Sequence, residues 1–442
     1  MSLGYNTIYE TYRKRQVCAQ KTIDLFLLFS LILLCPSGDG FCQENVFFRE
    51  YWAEFDENVS NHGGGRWRVN DEDLNLHEEY GKRPEARANG LVLVNVPEDL
   101  FLLDGAEIYL ELWGGHPLTA NKRFFVNGKQ LYAVPGYGTE ENNCTYSYPA
   151  IPVEVKHLVN GINAFQFACD RGSGFWGHFI MDNLAVKCYL KADHPVLAES
   201  GLKDFFAEVV VPDDGVLNDR IQVSLSYPKT FESDIGSVDY YGRYLGFDDN
   251  GNGLEDDWHG FTFDREAVNH IGTSTKPPFA VDWDTSMIPD QDKPMAVKAL
   301  IHFKNGVQYR SPVTDGLTFP KNRKSVRLYS CSSLPKPFWS RASQKKTAII
   351  RLPQNLSGLE KARLYVKIWD GGEGTVKEPF TINGHPYNVV SGKHIHDVVF
   401  TIIDISPEHL KPGDNELSVL SDTEHHGIEV LLPGPCMVIR YK

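Results

Sequence analysis

The chain has 442 residues, 44 Lys and Arg against 58 Asp and Glu, a net charge of −14, and 42% hydrophobic side chains. That apolar share excludes global disorder, and the length predicts roughly two to four domains. The acidic balance excludes a nucleic-acid partner, because phosphate binding needs a basic face. With 38 Gly, 25 Pro and 12% aromatics, the composition suits a turn-rich β protein.

Arg13, Lys14, Arg15 and Lys21 precede an apolar run at residues 25–35, LFLLFSLILLC. Such a run is too short to cross a bilayer core of ~30 Å as a helix. A basic stretch, a short apolar run and then small residues predict a secretory signal over residues 1–42, with cleavage near Cys42–Gln43. The other reading is a signal anchor that stays attached. The expected location is secreted or cell surface, with no membrane span in the mature chain. Beyond residue 42 stand Cys144, Cys169, Cys188, Cys331 and Cys436. An odd count leaves at least one free thiol, and Cys144–Cys169 and Cys331–Cys436 are the preferred pairs. No CxxC pair occurs, which excludes a zinc ribbon or a dithiol redox motif. Asn58, Asn143 and Asn355 begin glycosylation sequons.

After residue 42 the pattern is short alternating or apolar runs bounded by Gly, Asn, Asp and Pro. Residues 90–96, 106–112, 164–168, 184–190, 221–226, 296–303 and 364–368 read as strands. An internal repeat organises them. AEIYLELWGG leads to KRFFVNGKQL early in the chain, and ARLYVKIWDGG leads to EPFTINGHPY late in it. Fourteen positions separate Trp113 from Asn127, and fourteen separate Trp369 from Asn383. Asn127-Gly128 and Asn383-Gly384 read as hairpin turns. Trp113 and Trp369, shared by both copies, read as packing residues. Asn163 and Asn415 are expected to satisfy backbone groups.

The order of strand, Asn-Gly turn, strand, helical turn, Gly-x-Asn and strand resembles the galactose-binding-like jelly roll, a sugar-binding module found beside glycoside hydrolase catalytic domains. The resemblance covers residues 85–190 and 345–442. Residues 199–322 resemble an immunoglobulin- or fibronectin-III-like spacer, without the Cys…Trp…Cys pattern of antibody domains. The expected fold is all-β, with three β-sandwich domains: two jelly-roll repeats flanking an Ig-like sandwich. The expected boundaries are 43–193, 199–322 and 323–442.

Residues 246–260, GFDDNGNGLEDDWHG, resemble an extracellular calcium loop of the DxNxNG type. Asp248, Asn250 and Asn252 stand at alternate positions before the turn at Gly253, where oxygens can wrap a hard cation. The Leu254 carbonyl and Asp256 continue the register. Position 12 is His259, unlike the Glu of an EF-hand, so Asp257 or another carboxylate must close the shell. Calcium is the expected cofactor, in a structural role.

Residues peculiar to the first copy are the ligand-binding candidates: His116, Tyr137, Arg171, Trp176 and His178. An indole stacks on a pyranose face, while Arg and His bond hydroxyls. In the second copy, His394 and His396 share one strand face. GxSxG, HExxH and P-loop signatures are absent. The expected function is a calcium-stabilised, non-catalytic carbohydrate-binding protein whose partner is an extracellular polysaccharide or glycan. The alternatives are a polysaccharide lyase, with Tyr137, Arg171 and His178 as its machinery, a glycoside hydrolase, whose paired carboxylates need closeness in space and not in sequence, and a surface adhesion or scaffold protein.

Overall fold

The computed structural model describes residues 46–53, 67–69, 90–115, 119–136, 144–170, 178–370, 378–388, 397–424 and 427–442. The signal-type segment and the sequons at Asn58 and Asn143 lie outside them. Among the described residues no helix is long and apolar enough to cross a membrane. The chain is an all-β, multi-domain sandwich protein built of antiparallel sheets.

Period-two alternation sets the layers. In strand Leu359–Asp370, Ala362, Leu364, Val366 and Ile368 enter the core of the last sandwich. Arg363, Tyr365, Lys367 and Trp369 therefore take the opposite face. The matching strand of the first sandwich, Leu103–Trp113, sends Ala106, Ile108, Leu110 and Leu112 into its core. Its other face carries Glu107, Tyr109, Glu111 and Trp113. Large aromatics fill the first core: Phe124 stacks on Phe167 at 4.9 Å and on Tyr132 at 5.5 Å. Fully burying one such ring contributes about 1.5–3 kcal/mol.

The repeat extends to single hydrogen bonds. Asn127 Nδ2 donates to His157 O (2.9 Å) and Asn163 Oδ1 (2.8 Å). Asn383 Nδ2 donates to His409 O and Asn415 Oδ1, both at 2.8 Å. Asn163 Nδ2 closes onto Val159 O and Gly161 O, as Asn415 Nδ2 does onto Lys411 O and Gly413 O. The Tyr132 hydroxyl meets His157 Nδ1 at 2.7 Å, and that of Tyr387 meets His409 Nδ1 at 2.6 Å. The buried Asn163 and Asn415 amides thus satisfy backbone groups beside the helical turn of each copy. Asn127 and Asn383 sit at φ 51° and 50°, which asparagine tolerates in hairpin turns. Pairing Val126↔Gln130 against Ile382↔His385 makes the second hairpin one residue shorter.

Between the repeats, a three-stranded sheet (Glu208–Val210, Arg220–Ser226, Val281–Asp284) belongs to the middle sandwich. Its partner layer holds Ile235–Leu245, Met295–Phe303 and Gln308–Arg310. That layer does not stop at the domain edge. Strand Val46–Trp52 pairs with Phe179–Leu190 on one side and Gln308–Arg310 on the other. A single 12-stranded sheet thus runs from the first sandwich into the middle one, and one apolar core spans both. The last sandwich keeps its own core.

The two preferred disulfides do not form. All five described cysteines are unbridged thiols. Cys144 packs with Trp113 and Val398 between the two repeats, while Cys169 turns into the first core toward Val69 O at 3.6 Å. Cys331 and Cys436 are electrostatic neighbours but stay unbridged.

Candidate ligand-binding cleft

Residues 246–268 loop out from the middle sandwich, touching its sheet again where Asp256–Trp258 pairs with Arg243–Leu245, and are gripped from both sides. Phe247 lies 6.0 Å from Tyr365 and 5.5 Å from Phe400 of the last sandwich. Gly251 (φ +68°) presses on the first sandwich, where an added Cβ would stand 2.2 Å from Tyr146 O. No other residue fits that approach.

Two buried charges complete the grip, and they occupy equivalent positions of the repeat. Glu111 stands two residues before Trp113, as Lys367 stands two before Trp369. Glu111 accepts from the Thr262 hydroxyl, from Arg265 N–H (3.1 Å) and from Asn183 Nδ2 (2.7 Å). Lys367 Nζ donates to Asp249 O (2.8 Å) and Tyr146 O (3.1 Å). Its ammonium also lies 4.5 Å from the Phe261 ring and 4.6 Å from Tyr148. The acceptor of the first copy and the donor of the second thus hold opposite backbone polarities of one segment. Burial pushes Glu111 up to about 7 against its hydrogen bonds. It pushes Lys367 down to about 7 against the pull of Asp249 and Asp248. Glu429, buried beside Cys144 and Trp113, is likewise pushed up to about 7.

Next to this grip, the middle and last sandwiches leave a cleft of about 300 Å³. Tyr244 and Trp283 form one aromatic wall, with His259 stacked on Tyr244 at 3.9 Å. Phe247, Tyr365 and Phe400 form the other. Asp282, Asp284 and Arg363 supply charge. Burial works against the Asp284 carboxylate, but hydrogen bonds from Ser286, aided by the Arg363 and Arg220 charges, hold it below its usual value. Burial also works against Arg363, and the Asp404 carboxylate at 2.9 Å more than offsets it. Tyr244 and Tyr365 are raised, by burial first, and remain neutral phenols. His259 is spent internally, with Nε2 2.8 Å from Tyr244 O and Nδ1 3.2 Å from Asp249. Aromatic walls with a few planar polar groups suit a ligand that has apolar faces and hydroxyl edges.

Of the sequence candidates, His116, Tyr137, Arg171 and Trp176 lie outside the described residues, as do His394 and His396. His178 is described: it is 4% exposed, with its ring 5.4 Å from Trp113. The calcium-type loop forms a tight turn. Asp248 accepts from the amides of Asn252 (3.1 Å) and Gly253 (2.8 Å). Asn250 Oδ1 takes Asn252 N–H, and Asn252 Oδ1 takes Leu254 N–H. Asp257 accepts from the Asn252 side chain, while Asp256 bridges to Lys293 at 2.8 Å. Burial pushes Asp248 up to about 6. Among the described residues, no three His, Cys, Asp or Glu gather as a metal site. The cleft residues form no motif in the sequence. Their one signal is the aromatic outer face of an otherwise ordinary alternating strand, Arg363-x-Tyr365.

No protein-family model matches the chain, and no curated protein matches it significantly. Among solved structures it is similar to a β-porphyranase of glycoside hydrolase family 86 from the human gut bacterium Bacteroides plebeius. That match has 15% identity over 53% of this chain and 36% of the other, with a TM-score of 0.23. It is also similar to BuGH86 in complex with neoagarooctaose, at 9% identity over 54% and 33%, TM-score 0.24. A third is a β-glucuronidase from glycoside hydrolase family 2, at 10% identity over 68% and 33%, TM-score 0.17. The chain thus spans about a third of the length of these structures.

Proposed function

We propose that this is a secreted or cell-surface carbohydrate-binding protein, built of galactose-binding-like repeats around an Ig-like spacer, that binds a glycan without cleaving it. The cleft between the middle and last sandwiches carries this reading: it is lined by Tyr244 and Trp283 of one sandwich and by Tyr365 and Phe400 of the other, with Asp282, Asp284 and Arg363 beside them. A pyranose offers flat C–H faces to such walls and hydroxyls to such groups. Cleavage is disfavoured by the same residues. A glycosidase needs two carboxyls flanking one bond, one of them raised to serve as an acid. Asp282 and Asp284 project from one strand at i and i+2, and Asp284 is lowered.

A glycan array followed by calorimetry tests the proposal. Tyr365→Ala should weaken binding at least about tenfold, by loss of one stacking wall. Release of reducing ends or unsaturated uronates would overturn the non-catalytic reading, and silence on every glycan would favour the scaffold reading. Calcium at Asp248, Asn250, Asn252 and the Leu254 carbonyl is part of the proposal, supported by their alternate spacing. A chelator should then lower the melting temperature, and added calcium restore it. An unchanged melt removes the ion.

A further inference from the structure

Resting on that reading, we infer that the cleft takes uncharged sugar units and rejects anionic ones such as uronates and sulfated sugars. Of the described lining residues, Arg363 is the one Lys or Arg, and its guanidinium Nε is committed to Asp404 at 2.9 Å. Recognition of a carboxylate or sulfate favours a free guanidinium fork. Arg363 is already paired with Asp404 and stands beside the Asp284 carboxylate, so its charge is largely balanced before a ligand arrives. Arg220 does not help, because it pairs across the sheet from Asp284 and is not part of the lining. The two His that line the cleft are both engaged within the protein. His259 is held by Asp249 and the Tyr244 carbonyl, and His270 is lowered by burial, with Nε2 2.7 Å from Thr273 Oγ1. An anionic sugar would bring a third negative charge beside Asp282 and Asp284. Both carboxylates are exposed, so that repulsion acts at low salt and is screened as salt is added. A neutral sugar meets no such penalty. Both carboxylates can accept from its hydroxyls.

The test is calorimetry of the whole chain with neutral oligosaccharides (cello-, laminari- and galacto-oligosaccharides) and with uronate and sulfated oligosaccharides of matched length. Neutral chains should bind, with anionic ones at least about tenfold weaker at low salt. Added salt should narrow the gap. Asp282→Asn with Asp284→Asn should narrow it too, and since both residues are exposed, a melting curve will establish that the variant folds. Anionic chains binding as tightly as neutral ones would overturn the inference while leaving carbohydrate binding intact. If no oligosaccharide binds, the functional reading itself falls.

Discussion

Lys367→Ala is expected to destabilise the protein by about 3–5 kcal/mol, read as a lower denaturant midpoint. The side chain is fully buried, so truncation opens a cavity among Tyr146, Tyr148 and Phe261. It also removes the donor for two carbonyls, Asp249 O and Tyr146 O. An unsatisfied buried acceptor costs about 1–3 kcal/mol, and a large-to-small change in a core costs about 2–5. The contributions overlap, because water entering the cavity can bond the carbonyls. Lys367→Met keeps the volume, so it should cost less than alanine, and the difference reads the cavity. Glu111 grips the same segment from the other repeat. Glu111→Ala combined with Lys367→Ala should therefore cost less than the sum of the two, since one loosened segment cannot be released twice. Full additivity would mean that the two grips are independent.

Stability should pass through a trough near neutral pH, with a rise on either side. Glu111 and Glu429 each move from the usual 4.5 to about 7 on folding. Below 4.5 both are protonated whether the chain is folded or not. As pH rises toward 7, the unfolded chain loses those protons first, so stability is lost across that window. Each carboxyl contributes on the order of 3 kcal/mol, since a tenfold change in proton affinity is about 1.4 kcal/mol. Lys367 acts in the opposite sense. Its value falls from 10.5 to about 7, so its contribution is present above 10.5 and lost as pH falls to 7. Burial sets all three directions: Asp182 adds to it at Glu111, whereas Arg341 at Glu429 and Asp249 and Asp248 at Lys367 oppose it only in part. Melting temperature against pH checks this. Glu111→Gln with Glu429→Gln should flatten the acid limb, and Lys367→Met the alkaline one. A single maximum at pH 7 would contradict the burial of all three groups.

Much of the fold is written in short-range pattern. Alternation marks the strands, and the Trp-to-Asn spacing marks the repeat, because both arise from neighbours along one chain. The site is harder to read. Tyr244, Trp283, Arg363 and Phe400 come from separate strands and meet only across two packed sandwiches. A residue that differs between the two copies need not be a binding residue: Glu111 and Lys367 differ in charge and both serve the fold. A pair of equivalent faces that must hold one asymmetric segment needs an acceptor on one side and a donor on the other. That requirement leaves no mark in composition or spacing.

Strand Val46–Trp52 has a consequence for the order of assembly. Its outer partner, Gln308–Arg310, follows it by more than half the chain length. During synthesis the early strand must wait with one edge unpaired while the whole middle sandwich is made. Long sequence separation slows such closure, so folding should be slow for a protein of this size. A fragment ending near residue 193 would carry that open edge permanently, and self-association through it is the expected fate of an isolated first sandwich.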